Sequence, residues 1–174
     1  MRADWQRDLP FGELVSDRWR RAADLGFGEG ASIYDSSYVY GDVSVGPHTW
    51  IGPFTLLDGS GGLIIGEHCS ISAGVHIYTH DTVAWAVSGG RVAAQRSPVV
   101  IGGNTYIGSQ AIVARGVTIG DHCVIGAGSF VNRSIPPYTV AMGTPCRVVG
   151  RVEVDASGRV TLHYETESGP NEAG

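Results

Sequence analysis

Residues 99–137 read VVIGGNTYIGSQAIVARGVTIGDHCVIGAGSFVNRSIPP, and every sixth residue in them is a branched aliphatic: Ile101, Ile107, Val113, Ile119, Ile125 and Val131. Glycine follows four of these directly, at Gly102, Gly108, Gly120 and Gly126. Four places after each aliphatic stands a small or β-branched residue: Thr105, Ala111, Val117, Cys123, Ser129 and Ile135. Neither a helical period nor a simple strand alternation produces this spacing. A period of six predicts a parallel β-helix, an all-β solenoid in which short strands wind into coils and each aliphatic stacks on its counterpart one coil away.

The same period runs back through Ile33, Val39, Val45, Ile51 and Leu57, with Ser37, Val43, Thr49 and Thr55 in the small slot. It slips at residues 58–62, DGSGG, which carry two extra residues, and resumes at Ile65, Ile71 and Ile77. A glycine-rich bulge there would turn the corner and re-aim side chains. After Thr82 the period stops, and residues 83–98, VAWAVSGGRVAAQRSP, read as a loop extruded from the coil. A loop of that length in a compact domain is functional or disordered, and Trp85, Val87 and Val92 argue for one that docks, with a second subunit as one option. If the loop is an excursion, positions 45, 65, 101 and 119 share a face, and His48, His68, Asn104 and His122 line one corner. That column reads as a solvated corner in preference to a metal ladder, because Asn104 interrupts it and turns favour polar residues.

The solenoid is flanked by non-repeating ends, giving an N-terminal helical cap at 1–30, the β-helix at 31–150 and a C-terminal segment at 151–174. In the cap, Val15, Trp19, Ala22 and Ala23 fall at helical spacing and Gly26 supplies a stop, so one amphipathic helix is expected to cover the open end of the first coil. Residues 152–164 alternate on both sides of a turn at 155–158, which predicts a β-hairpin, and the last ten residues read as frayed.

A chain of 174 residues fits one domain with tails, and 26 glycines suit many tight corners. The net charge of −5 leaves no electrostatic footprint for nucleic acid. No apolar run approaches a membrane span and the charged start does not read as a signal peptide, so a soluble, cytoplasmic protein is expected. Cys69 and Cys123 occupy the small slot and, with Cys146, read as buried packing groups without redox chemistry.

The segment 98–150, with IGAGSFV followed by PP and GTPCRVV, resembles the hexapeptide-repeat acetyltransferases, closest to the sugar O-acetyltransferases, and the likeness extends over 45–151. The resemblance implies a left-handed parallel β-helix, a homotrimer with active sites between subunits, and acetyl-CoA as co-substrate with no metal. It places the catalytic base at His80, in ISAGVHIYTHDT just before the extruded loop. A neutral imidazole is suited to take a hydroxyl proton as the oxygen attacks a thioester. Asp81 and Asp58 are both candidates to orient the imidazole, and Tyr78, Trp85 and Asp81 to contact a sugar; His76 reads as a surface residue. For the cofactor, the resemblance implies Ser109 as an oxyanion contact, Gly126 and Ala127 beside the pantetheine, Thr144 and Pro145 at the adenine end, and Arg133, Arg147 and Arg151 on the phosphates. Tyr106 stands where the family has Trp in a groove wall, the N-terminal segment lacks the maltose acetyltransferase motif, and the terminal hairpin is not the usual ending.

Three rival functions share this fold. A nucleotide-sugar N-acetyltransferase would use the same base on an amine, a gamma-class carbonic anhydrase needs three histidines converging on a metal, and a non-catalytic scaffold predicts no affinity for acetyl-CoA.

Overall fold

A computed structural model describes residues 10–165. Its body is a left-handed parallel β-helix of about six turns, triangular in section. The first face stacks β1 (Ser32–Ile33), β3 (Trp50–Ile51), β5 (Ser70–Ile71), β10 (Tyr106–Ile107), β13 (Val124–Ile125) and β15 (Thr139–Met142). Two longer strands, β2 (Tyr38–Val45) and β4 (Leu56–Ile65), bend across the corner between the second and third faces. The second face continues through β6 (His76–Ile77), β11 (Ile112–Val113) and β14 (Phe130–Val131), and the third through β9 (Val99–Ile101) and β12 (Thr118–Ile119).

The register explains the period. Ile33 pairs with Ile51, Ile51 with Ile71, Ile71 with Ile107 and Ile107 with Ile125, so identical slots face the axis in one apolar column. These side chains are fully buried, each contributing about 1.5–3 kcal/mol of hydrophobic stabilisation. The small slot lies inside each corner, and at three of them a hydroxyl donates to a carbonyl of the next coil: Ser37 Oγ on Gly52 O at 2.9 Å, Thr49 Oγ1 on Gly66 O at 2.7 Å, and Thr105 Oγ1 on Gly120 O at 3.0 Å. Cys69 and Cys123 use their thiols the same way, on Gly102 O at 3.1 Å and Pro136 O at 3.0 Å. Burial raises both thiols above the ordinary cysteine range, which suits structural groups. The glycine after the aliphatic is required by coil spacing, since a Cβ at Gly66 would sit 2.5 Å from Gly103 N.

The predicted slip is present: Gly41 pairs with Gly59, but Val43 pairs with Leu63, so β4 holds two extra residues at the corner. One corner repeats a left-handed residue at His48, His68, Asn104, His122 and Tyr138, with rings stacked at 4.8 Å (His48 on His68) and 4.7 Å (His122 on Tyr138).

The ends differ from expectation. Among the described residues the single cap helix is two, α1 (Phe11–Val15) and α2 (Arg18–Asp24), because Asp17 caps the second by accepting from Trp19 N at 3.0 Å and Arg20 N at 2.8 Å. Only Ala22 of the predicted stripe is buried; Val15 and Trp19 are exposed, and Arg21 holds α2 to the first coil through the carbonyls of Tyr34 and Ser37. The loop at 83–98 is an ordered arm. Its base is a two-stranded antiparallel ribbon, β7 (His80–Asp81) with β8 (Gln95–Arg96), and it carries the short helix α3 (Val83–Val87). Val83, Trp85, Val87 and Val92 are all exposed, so the apolar side chains of the arm do not pack on its own subunit. The hairpin begins earlier than predicted, as β16 (Arg147–Val154) and β17 (Val160–Tyr164), and β16 also pairs antiparallel with β15, extending the first face. The expected fraying of the terminus lies, after Glu165, outside the described residues. Among the described residues no helix is long and apolar enough to cross a membrane.

Candidate active site

His80 stands at the corner where the arm leaves the solenoid, and the bulge in β4 lies beneath it. Leu57 pairs with Ile77, which sets residues 58–60 against 78–80. His80 Nδ1 is 2.7 Å from Asp58 Oδ2. Asp58 is 2% exposed, and its carboxylate also accepts from Thr79 N at 2.8 Å, Ser60 N at 3.0 Å and the Ser60 hydroxyl. Burial alone would push this carboxyl up. The hydrogen bonds from Ser60, His80 and Thr79 outweigh it and hold the group well below the usual carboxylate range. An ionised carboxylate can only accept, so Nδ1 is the donor in this contact, and in the neutral ring the lone pair then lies on Nε2. The glycines of the bulge permit this approach: a Cβ at Gly61 would lie 2.5 Å from Thr79 O, while Gly61 N donates to Thr79 Oγ1 at 2.8 Å.

The ring opens on a cavity of about 470 Å³ bordered by Tyr78, Thr82, Val83, Ile112 and Arg115. Of the two aspartates left open by the sequence, Asp58 contacts the imidazole, and Asp81 instead pairs with the Arg115 guanidinium and accepts from Val83 N at 3.1 Å. Tyr78 lines the cavity, its hydroxyl 3.3 Å from Nδ1 of the half-buried His76. Trp85 lies out on α3 and is not part of the cavity wall. Ser60, Thr79 and Arg115 were not marked by the sequence. The two-residue slip pointed at Ser60, whereas Arg115 was concealed inside a regular hexad.

The residues expected to hold the cofactor fall into separate groups. Ser109, Gly126, Ala127 and Thr144 gather at the corner between the first and second faces, where Gly128 N donates to Ser109 O at 2.9 Å and Thr144 Oγ1 to Gly128 O at 3.1 Å, with Pro145 adjoining. Gly126 has a packing reason of its own, because a Cβ there would be 2.6 Å from Met142 Cβ. Ser109 is thus one corner away from His80, across the whole second face. Tyr106 projects from the first face toward the C-terminal hairpin, near Val152 and Val160. The three arginines do not surround one point. Arg147 and Arg151 are four residues apart on the extended β16, roughly 13 Å at strand rise. Arg133 is on the corner line of His80, one coil beyond Arg115. No group of three or more His, Cys, Asp or Glu side chains among the described residues is placed to hold a metal ion.

The six-residue period and the parallel β-helix it builds place the chain among the hexapeptide-repeat proteins. The bacterial transferase hexapeptide family (six repeats) matches residues 98–133. Galactoside O-acetyltransferase of Escherichia coli K12 is 46% identical over 71 residues, covering 41% of this chain and 35% of the relative. Matches to such curated relatives therefore span about a third of their length. A maltose O-acetyltransferase structure from Clostridium difficile 630 is 31% identical at a TM-score of 0.63, covering 82% of this chain and 81% of that one. A hexapeptide-repeat acetyltransferase from Vibrio cholerae O1 biovar eltor, solved with acetyl coenzyme A, is 28% identical at a TM-score of 0.68, with 80% of each chain covered. The chain belongs to the hexapeptide-repeat acetyltransferase family.

Proposed function

We propose that the protein is an acetyl-CoA-dependent O-acetyltransferase acting on a sugar hydroxyl, with His80 as general base. The observation that carries this is the buried, ionised Asp58 at 2.7 Å from His80 Nδ1, which leaves Nε2 free as a base at the cavity. Nε2 takes the proton of the attacking hydroxyl, the new C–O bond forms at the thioester carbonyl, the C–S bond breaks, and the imidazolium returns the proton to the leaving thiolate. Asp58 stabilises the imidazolium and fixes its tautomer. Tyr78 and Asp81 border the acceptor side. Ser109, Gly126, Ala127, Thr144 and Pro145 form the cofactor corner, with Tyr106, Arg133, Arg147 and Arg151 as outer contacts.

Two different corners of one prism carry the base and the cofactor residues, so a site uniting them needs two copies. This supports a homotrimer with active sites between subunits, the arm reaching toward the neighbour with Val83, Trp85 and Val87 exposed on it. The relatives named as galactoside and maltose O-acetyltransferases support a sugar acceptor. A thiol-release assay with acetyl-CoA and a panel of hydroxyl- and amine-bearing sugars tests the reading. Release with hydroxyl acceptors, absent in His80→Ala, is expected; release with amino sugars alone would reassign the acceptor, and no release with any would overturn the reading.

A further inference from the structure

The arm is tied to the solenoid by one side chain from the next coil. Arg115 follows Ala114, whose N donates to Val131 O at 2.9 Å, so its backbone is fixed in the body of the β-helix. Its guanidinium fans across the base of the arm. Nε donates to Asp81 Oδ2 on β7, one Nη to Gln95 Oε1 on β8, and the other lies 3.4 Å from Ser97 Oγ, where the chain rejoins the coil. Asp81 directly follows His80, and its other carboxylate oxygen accepts from Val83 N at 3.1 Å, at the start of α3. One planar cation thus holds the outgoing strand, the returning strand and the first turn of the arm helix. A lysine offers a single point charge and could not span these partners.

We propose that Arg115 is a positioning residue for the acceptor side of the site, clasping both strands of the arm so that Asp81, Thr82 and Val83 form a fixed cavity wall beside His80. This rests on the transferase reading above. His80 has its own anchor in Asp58, so loss of the clasp loosens the wall while the base stays oriented. The cofactor corner, one face away, is untouched.

The test uses the full chain with Arg115→Gln and Arg115→Lys. Arg91 and Arg96 are exposed trypsin sites on the arm. With the thermal transition unchanged, Arg115→Gln is expected to cut faster at these two bonds, by about tenfold, as the arm opens locally. Arg115→Lys should fall between Arg115→Gln and wild type. In the thiol-release assay, Arg115→Gln should raise KM for the acceptor about tenfold with KM for acetyl-CoA unchanged and only a small change in kcat. Combining it with Asp81→Asn should add little further, because both break the same contact. Unchanged cleavage at Arg91 and Arg96, or equal rises in both KM values, would overturn the proposal. Faster cleavage in a protein that transfers acetyl to no acceptor would leave the clasp standing and remove the transferase reading.

Discussion

Asp58 is the residue on which the site turns. Its carboxylate is buried yet ionised, because Ser60, Thr79 and His80 supply the donors that water would otherwise provide. Replacing it by asparagine removes the charge that stabilises the imidazolium and lets the ring adopt the wrong tautomer. Asp58→Asn should lower kcat by about 10²–10⁴-fold, measured as thiol release at saturating substrates. The same group links stability to pH. Its folded pKa is depressed, so its contribution is complete above the ordinary carboxylate pKa of about 3.9 and is lost as pH falls below that toward the folded value. Thermal melts followed by circular dichroism should therefore show wild type losing stability more steeply below about pH 4 than Asp58→Asn. The choice between Asp58 and Asp81 was not legible in the sequence. It depends on the register of two coils across a two-residue bulge, and spacing along one chain does not report that alignment.

At the scale of elements, the coils were legible because each inward slot repeats a chemical demand. The branched aliphatic fills the axis, a small or β-branched residue fits inside the corner, and the glycine allows the next coil to approach. The N-terminal helix was misread as continuous because helical spacing outvoted Asp17, whose side chain caps a new helix in mid-stripe. The hairpin was visible in its alternation, but its true start at Arg147 was hidden by the GTPCRVV segment, where β15 and β16 pair through an irregular register. Its junction is sterically exacting: a Cβ at Gly150 would lie 2.1 Å from the carbonyl oxygen of His163. Gly150→Ala should unpair β17 while leaving the coils intact, because backbone on a neighbouring strand cannot yield as a side chain can. Hydrogen exchange should then rise at amides 160–164 by about tenfold or more and stay unchanged at Ile107 and Ile125. Equal change throughout the chain would show that the hairpin and solenoid unfold as one unit. The arm's ribbon was illegible for the same reason as Asp58, since Arg115 contacts it from a coil further on.

At the scale of the molecule, the described residues form a three-faced solenoid, with the proposed base and the proposed cofactor residues at different corners. His80 and its carboxylate lie at one, and the proposed cofactor residues Ser109, Gly126, Ala127 and Thr144 at another, so under the proposed function a neighbouring copy completes the site. Exposed Tyr38 and Ile112 on the second face and exposed Val83, Trp85 and Val87 on the arm leave apolar surface for that contact. The central claim is that one protomer supplies the base and its neighbour the cofactor corner. It is tested most directly by co-expressing two defective chains, His80→Ala and Ala127→Trp, the latter placing a bulky ring on an exposed corner outside the core. Each variant alone should release no thiol from acetyl-CoA in the presence of acceptor, while co-expression should recover activity at about a third of the sites in mixed trimers, those pairing an intact base with an intact neighbouring corner, or about a quarter of all sites after random assembly. Turnover by His80→Ala alone, or silence from the mixed trimers, would contradict the account.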